Sequence, residues 1–133
     1  MSLDLFRDRV IARAREALPE SISVHEGWVS NPMHGDEVTI AFSEAATGNT
    51  LHTNKQVVFH VWTDGPDTSK AEGYAYELRK AFGYKMFDTS DAGVARFWFS
   101  GQDQQTEDED TVHMTVSFTA RAFERNLVGT FQE

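Results

Sequence analysis

A chain of 133 residues, 40% hydrophobic and 25% charged, with ten Phe, three Trp and three Tyr, has the length and apolar content of a single folded domain spanning 1–133 and is too aromatic to be disordered. It has no cysteine, which excludes disulfides, iron–sulfur clusters, thiolate zinc sites and cysteine nucleophiles and suits folding in a reducing cytosol. The formal net charge of −9 repels phosphate backbones at long range and argues against nucleic-acid binding.

The first residues, Met1 to Arg9, alternate charge with apolar side chains and offer no signal-peptide h-region, and no apolar run approaches the roughly 18 residues of a membrane span. Leu3, Phe6, Val10, Ala14 and Ala17 recur at three- and four-residue spacing, with arginines on much of the rest, and predict a helix over 3–18 capped by Ser2 and ended by Pro19. Ile22 and Val24 mark a short strand. The stretch from Gly27 to Gly35 is rich in turn formers. Val38, Ile40 and Phe42 alternate with polar residues as a half-buried strand does. Lys55 to Thr63 is apolar on both faces, as expected of a central strand.

Ser69 and Glu72 match a capping box opening a second helix, whose stripe is Ala71, Tyr74, Ala75, Leu78 and Phe82, with Gly83 placed as its C′ glycine. Met86 and Phe87 are expected to tuck under the sheet. Val94 to Ser100 reads as a strand, Gly101 to Asp110 as a polar loop, and Val112 to Arg121 as a long strand with one wet face. Strands clustered between helices imply an α+β fold: an antiparallel sheet with the two helices packed on one face.

The search for chemistry returns little. His60 and His113 fall on strands, on the face away from the core, where neighbouring strands could bring them together. No His-x-His or His-Glu-x-x-His spacing accompanies them, so they read as ordinary sheet histidines and no metal site is expected. Gly-x-Ser-x-Gly, the P-loop pattern and Gly-x-Gly-x-x-Gly are absent, and no acidic residue falls on a predicted apolar face; no catalytic residue and no cofactor is assigned. The acidic run Glu107, Asp108, Glu109 and Asp110 lacks EF-hand spacing. It reads either as a solvated loop or as a repulsive surface along which a duplex slides without sticking. Trp98 alternates against Phe97 and Phe99, so that strand carries large aromatics on both faces; with Leu127 and Phe131 of the apolar tail it marks a candidate interface. Trp28, Asn31 and His34 in the early turn-rich segment form a candidate docking surface.

The block Val57-Val58-Phe59-His60-Val61-Trp62-Thr63, a short polar turn and an alanine- and leucine-bearing helix through Phe82 resembles the tail-terminator, or tail-completion, proteins of long-tailed bacteriophages and related tail-like particles. The order of elements along most of the chain is similar too, ending in the alternating Thr115-Val116-Ser117-Phe118-Thr119-Ala120. The Gln104-to-Asp110 segment departs from the family outline. The resemblance implies a structural, non-enzymatic role: a homo-oligomeric ring, six-membered in that family, at the head–tail junction of a virion assembled in the host cytoplasm. Such a ring caps the head-proximal end of the tail tube, stops polymerisation of the tube protein, and presents a face to the head-side connector while DNA passes through its lumen. The acidic run would then face the lumen or a ring partner. Two other readings stay open: a head–tail adaptor or stopper of the same particle, and a small-molecule-binding or enzymatic α+β cone, which a deep apolar pocket with convergent polar groups would favour.

Overall fold

A computed structural model describes residues 3–28, 35–45, 52–83, 86–88, 93–108 and 110–124. Their elements run in the order α1 (Leu3–Ala17), β1 (Ser23–Glu26), β2 (Glu37–Ala45), β3 (His52–Asp64), α2 (Ser69–Phe82), β4 (Met86–Asp88), β5 (Gly93–Asp108) and β6 (Thr111–Glu124). The six strands form one sheet in the order β1-β2-β3-β6-β5-β4. The α+β reading therefore holds, with one correction. β1 joins β2 in parallel, through pairs such as Val24↔Val38, so the sheet is mixed and only its other four pairings are antiparallel.

Both helices lie on one face because only that face of the sheet is apolar along its length. Val38, Ile40, Val57, Phe59, Val61, Ala95, Phe97, Val112, Met114, Val116, Phe118 and Ala120 alternate inward and are buried. Helix α1 places Phe6, Val10 and Ala14 on this surface, with Leu18 just beyond its end, and α2 places Ala71, Ala75, Leu78 and Phe82 there. Phe6 stacks on Phe97 at 5.9 Å, while Phe82 meets Phe59 and Phe97 at 5.2 Å each. Two arginines of α1 tie it to its neighbours, one to α2 and one to β1. Arg13 Nε donates to Ala81 O at 2.9 Å, and Arg15 Nη2 to Val24 O at 2.9 Å.

The helix ends differ from the sequence reading in their chemistry. α2 starts at Ser69, so Thr68 is the N-cap. Asp67 Oδ1 accepts from Ser69 N and Oγ, and these bonds, the backbone one first, hold the Asp67 carboxyl below its ordinary value. Glu72 is reached by Thr68 Oγ1 at 3.2 Å rather than by Ser69. Any residue of Asp67-Thr68-Ser69 is a competent cap, and packing of the Ala71 stripe decides the register. Gly83 follows the helix but is not left-handed, at φ −59° and ψ 117°. Glycine is needed there for approach instead, since a Cβ would lie 2.5 Å from the Arg79 carbonyl oxygen. α2 is also tied to the head of β2, where Tyr74 Oη donates to Asp36 Oδ2 at 2.8 Å. Burial first, then that carboxylate, raises the Tyr74 phenol above its usual value.

Two further expectations need correction. Met86 and Phe87, read as a segment under the sheet, are strand residues of its edge, in β4, opposite Arg96 and Ala95 of β5. The segment from Gly101 to Asp108 is not a loop. It extends β5, which stays paired with β6 through irregularities between Phe99 and Gly101 and between Thr106 and Asp108. Its side chains are polar on both faces, which hides a strand whose pairing is supplied by the main chain of β6.

Candidate functional site

The period-two alternation that buries one face of the sheet places Thr39, His60, Trp62, Trp98, His113 and Arg121 on the other, which no helix covers among the described residues, although Thr39, Trp62 and His113 are themselves buried there. Two side-chain clusters stand on this open face. The first is built on β2, β3 and β6. Trp62 and His113 are direct cross-strand partners, and their rings stack at 3.7 Å with a 12° tilt. Trp62 Nε1 donates to Thr39 Oγ1 on β2 at 3.1 Å. His60, two residues before Trp62, brings Nδ1 to 2.8 Å from His113 Nε2. Trp28 adds its edge at 6.3 Å from the Trp62 ring while remaining 77% exposed. At the β1 side, His25 Nε2 lies 2.8 Å from Glu37 Oε2, whose side chain is buried.

The chemistry available to this cluster is narrow. With both imidazoles neutral, one donates its N–H to the other's lone pair, so the facing nitrogens satisfy each other. Among the described residues no three His, Cys, Asp or Glu side chains are grouped to hold a metal ion. Half-burial, and then the proximity of His113, lowers the His60 pKa. Because the folded value lies below the unfolded one near 6.5, the neutral pair stabilises the fold fully above that pH and loses its contribution as pH falls through the folded pKa. His60→Gln is therefore expected to flatten the loss of stability between about pH 7 and 5, read by denaturant unfolding at each pH, with His60 titrating below 6.5 in the wild-type NMR spectrum.

The second cluster lies on β5 and β6. Arg96 and Arg121 are direct cross-strand partners. Their guanidinium groups approach the ring of Trp98 at 5.3 and 5.9 Å. Trp98, Arg121, Asn54 and Thr119 line an open cleft of about 290 Å³. Other open concavities among the described residues measure about 370 Å³ beside Arg15, Pro19 and Val24, and about 310 Å³ beside Tyr76, Arg79 and Phe99.

The residues singled out by sequence fall as follows. His60 and His113 do meet, on the face anticipated for them. Trp98 stands on the face opposite Phe97 and Phe99, with Arg96 and Arg121 beside it. Trp28 is exposed and belongs to the first cluster; its companions Asn31 and His34 lie outside the described residues, as do Leu127 and Phe131. Of the acidic run, Glu107 and Asp108 close strand β5, Asp110 is exposed in the turn to β6, and Glu109 is outside the described residues. Gly65 N donates to Asp110 O at 2.7 Å, which fixes this turn beside the β3–α2 connection. Sequence reading does not single out Arg96 or Arg121. Their period-two relation to Trp98 and Thr119 is visible in the chain, but their juxtaposition depends on the β5–β6 register.

No protein-family model matches the chain, and no curated protein matches it. Among solved structures it is similar to a chain of the virion of a native gene transfer agent particle, at 16% identity and a TM-score of 0.67 over 92% of this chain and 99% of that one. It is also similar to a second solved chain of no stated function, at 21% identity and a TM-score of 0.68 over 92% and 96% of the two. These likenesses establish a shared fold along nearly the whole of each chain.

Proposed function

We propose that this protein is a structural component of a phage-like tail, a ring-forming terminator that caps the head-proximal end of the tail tube. The observation that carries this reading is the fold shared end to end with a chain of a gene transfer agent virion. The motif resemblance at Val57 to Thr63 and in the helix through Phe82 points the same way. The helix-free side of the sheet supports it as well: tryptophan and arginine are the side chains that dominate protein interfaces, and exposed Trp28, part-buried Trp98 and exposed Arg96 and Arg121 all lie on it. The concavities found among the described residues are open clefts, not the deep apolar pocket a small-molecule site would favour. DNA is then a passing cargo, kept from adhering by a protein of net charge −9. The ring partners are further copies of the chain, the tube protein and a head-side connector.

Purified protein incubated with tail tubes of its own particle is expected to cap one end of each tube in negative-stain images and to halt elongation by added tube subunits. Tubes that stay uncapped and keep growing would overturn the terminator reading. Binding to the head-side connector with no effect on tubes would replace it with an adaptor.

A further inference from the structure

The pair Arg96↔Arg121 is anomalous on physical grounds. Like charges directly opposite one another on antiparallel strands repel. Here two guanidinium groups are held side by side at the surface of a chain with 21 acidic residues against 12 basic ones. Among the described residues neither forms an ion pair, and both lean on the single ring of Trp98. Arg121 lines an open cleft with Trp98, Asn54 and Thr119, and Arg96 reaches the same Trp98 ring from its other cross-strand position, so two guanidinium forks flank one aromatic platform, an arrangement suited to a carboxylate or phosphate.

The anion cannot come from the acidic end of the same sheet. Exposed Asp64 and Asp110 flank the β5–β6 turn, since Asp64 pairs with Thr111. Nine residues of β6 lie between Thr111 and Arg121, about 30 Å of extended chain. One end of the sheet thus carries exposed carboxylates, and the other an arginine pair with no carboxylate partner among the described residues. The two are complementary only between molecules.

We propose that Arg96, Arg121 and Trp98 form a carboxylate-binding socket that receives the acidic β5–β6 turn of a second copy of this chain. The contact is head-to-tail: one patch meets a different patch on the next copy, the type of contact that closes into a ring. It rests on the ring-forming reading above and assigns that ring's junction. Phosphate is the less favoured occupant, because the surrounding charge repels a nucleic-acid backbone before the socket is reached.

The test is charge reversal with complementation. R96E/R121E places acid against acid at every junction, and D64K/D110K takes two carboxylates from the turn and sets lysines against the arginine pair. Each variant alone is expected to weaken self-association, measured as mass by light scattering across a concentration series, at least about tenfold. An equimolar mixture is expected to regain the wild-type mass, because alternating copies restore opposite charges at every junction. Unchanged thermal melts of the separated monomers establish that both variants fold. Wild-type assembly by both variants would overturn the socket and leave the terminator reading standing. So would a wild-type chain that stays monomeric and still caps tubes, whereas one that neither self-associates nor caps tubes overturns both. Retention of the wild type on a duplex-DNA column, lost in R96E/R121E with the assembled mass unchanged, would make phosphate the anion and overturn the self-contact.

Discussion

Replacing Phe118 by alanine is expected to cost about 3–5 kcal/mol of unfolding free energy. Phe118 is fully buried at the middle of β6, paired on one side with Val57 and on the other with Phe99. Its ring meets four others, Phe59 and Phe82 at 5.8 Å each, Phe99 at 5.9 Å and Phe97 at 6.3 Å. These rings come from β3, α2 and β5, so the deletion opens a void where helix and sheet meet. The backbone cannot close it, because the pairings on both sides fix β6. Against a total stability of about 5–15 kcal/mol, such a loss leaves a marginal protein. Urea unfolding followed by circular dichroism measures it, and Phe118→Leu, which keeps most of the volume, should lose less than about 1.5 kcal/mol. A loss for Phe118→Ala below about 2 kcal/mol would mean that the surrounding rings collapse into the space.

The phenylalanine layer was legible in the sequence because burial and alternation coincide there. Val116, Phe118 and Ala120 alternate with Ser117 and Thr119, and one face of β6 is buried throughout. The α2 stripe was legible for the same reason, with Ala71, Ala75, Leu78 and Phe82 all buried as spaced. Legibility failed where the main chain, not the side chains, makes the structure. Gly101 to Asp108 carries polar residues on both faces, and its strand conformation comes from the ladder to β6. β1 reads as a strand, but nothing in its four residues specifies that it runs parallel to β2. The cap of α2 slipped by one residue because Asp67, Thr68 and Ser69 are chemically interchangeable in that role.

The open face divides along the same line. That His60 and His113 share a face follows from counting by twos. That they bond at 2.8 Å follows only once β3 is placed beside β6 with Trp62 opposite His113. Trp98 was conspicuous because an aromatic on the face opposite Phe97 and Phe99 requires a cover. Its two arginines come from positions 25 residues apart in sequence, and no periodicity links Arg96 to Arg121. The acidic run was visible as charge, but its placement at the end of a hairpin, beside the β3–α2 connection, is what makes it a patch at one pole of the sheet.

Removing the carboxylate of Glu44 is expected to destabilise the protein by about 2–4 kcal/mol, while replacing its partner Lys55 by methionine should change stability by less than about 1 kcal/mol. The two residues are cross-strand neighbours on the helix-covered face, near the end of β2 and start of β3. Lys55 is 1% exposed and donates from Nζ to Glu44 Oε2 at 2.8 Å, with its ammonium 5.3 Å from the Phe6 ring. Glu44 is 42% exposed. The burden of desolvation therefore falls on the lysine alone, and the carboxylate, still half in water, offsets it. Without Glu44 the ammonium stays in an apolar setting with only the Phe6 face to compensate, worth about 0.5–2 kcal/mol. Methionine fills the lysine's volume against Phe6 with no charge to neutralise, and the released carboxylate simply rehydrates. The asymmetry between the single variants is the diagnostic result, and the double variant E44A/K55M should recover nearly all that E44A loses, because the uncompensated charge is gone. Denaturant melts of the three variants measure this. A Glu44→Ala loss no larger than that of an ordinary surface substitution, about 0.5 kcal/mol, would mean that the ammonium reaches water past the end of α1 and that the pair does not hold it in the core.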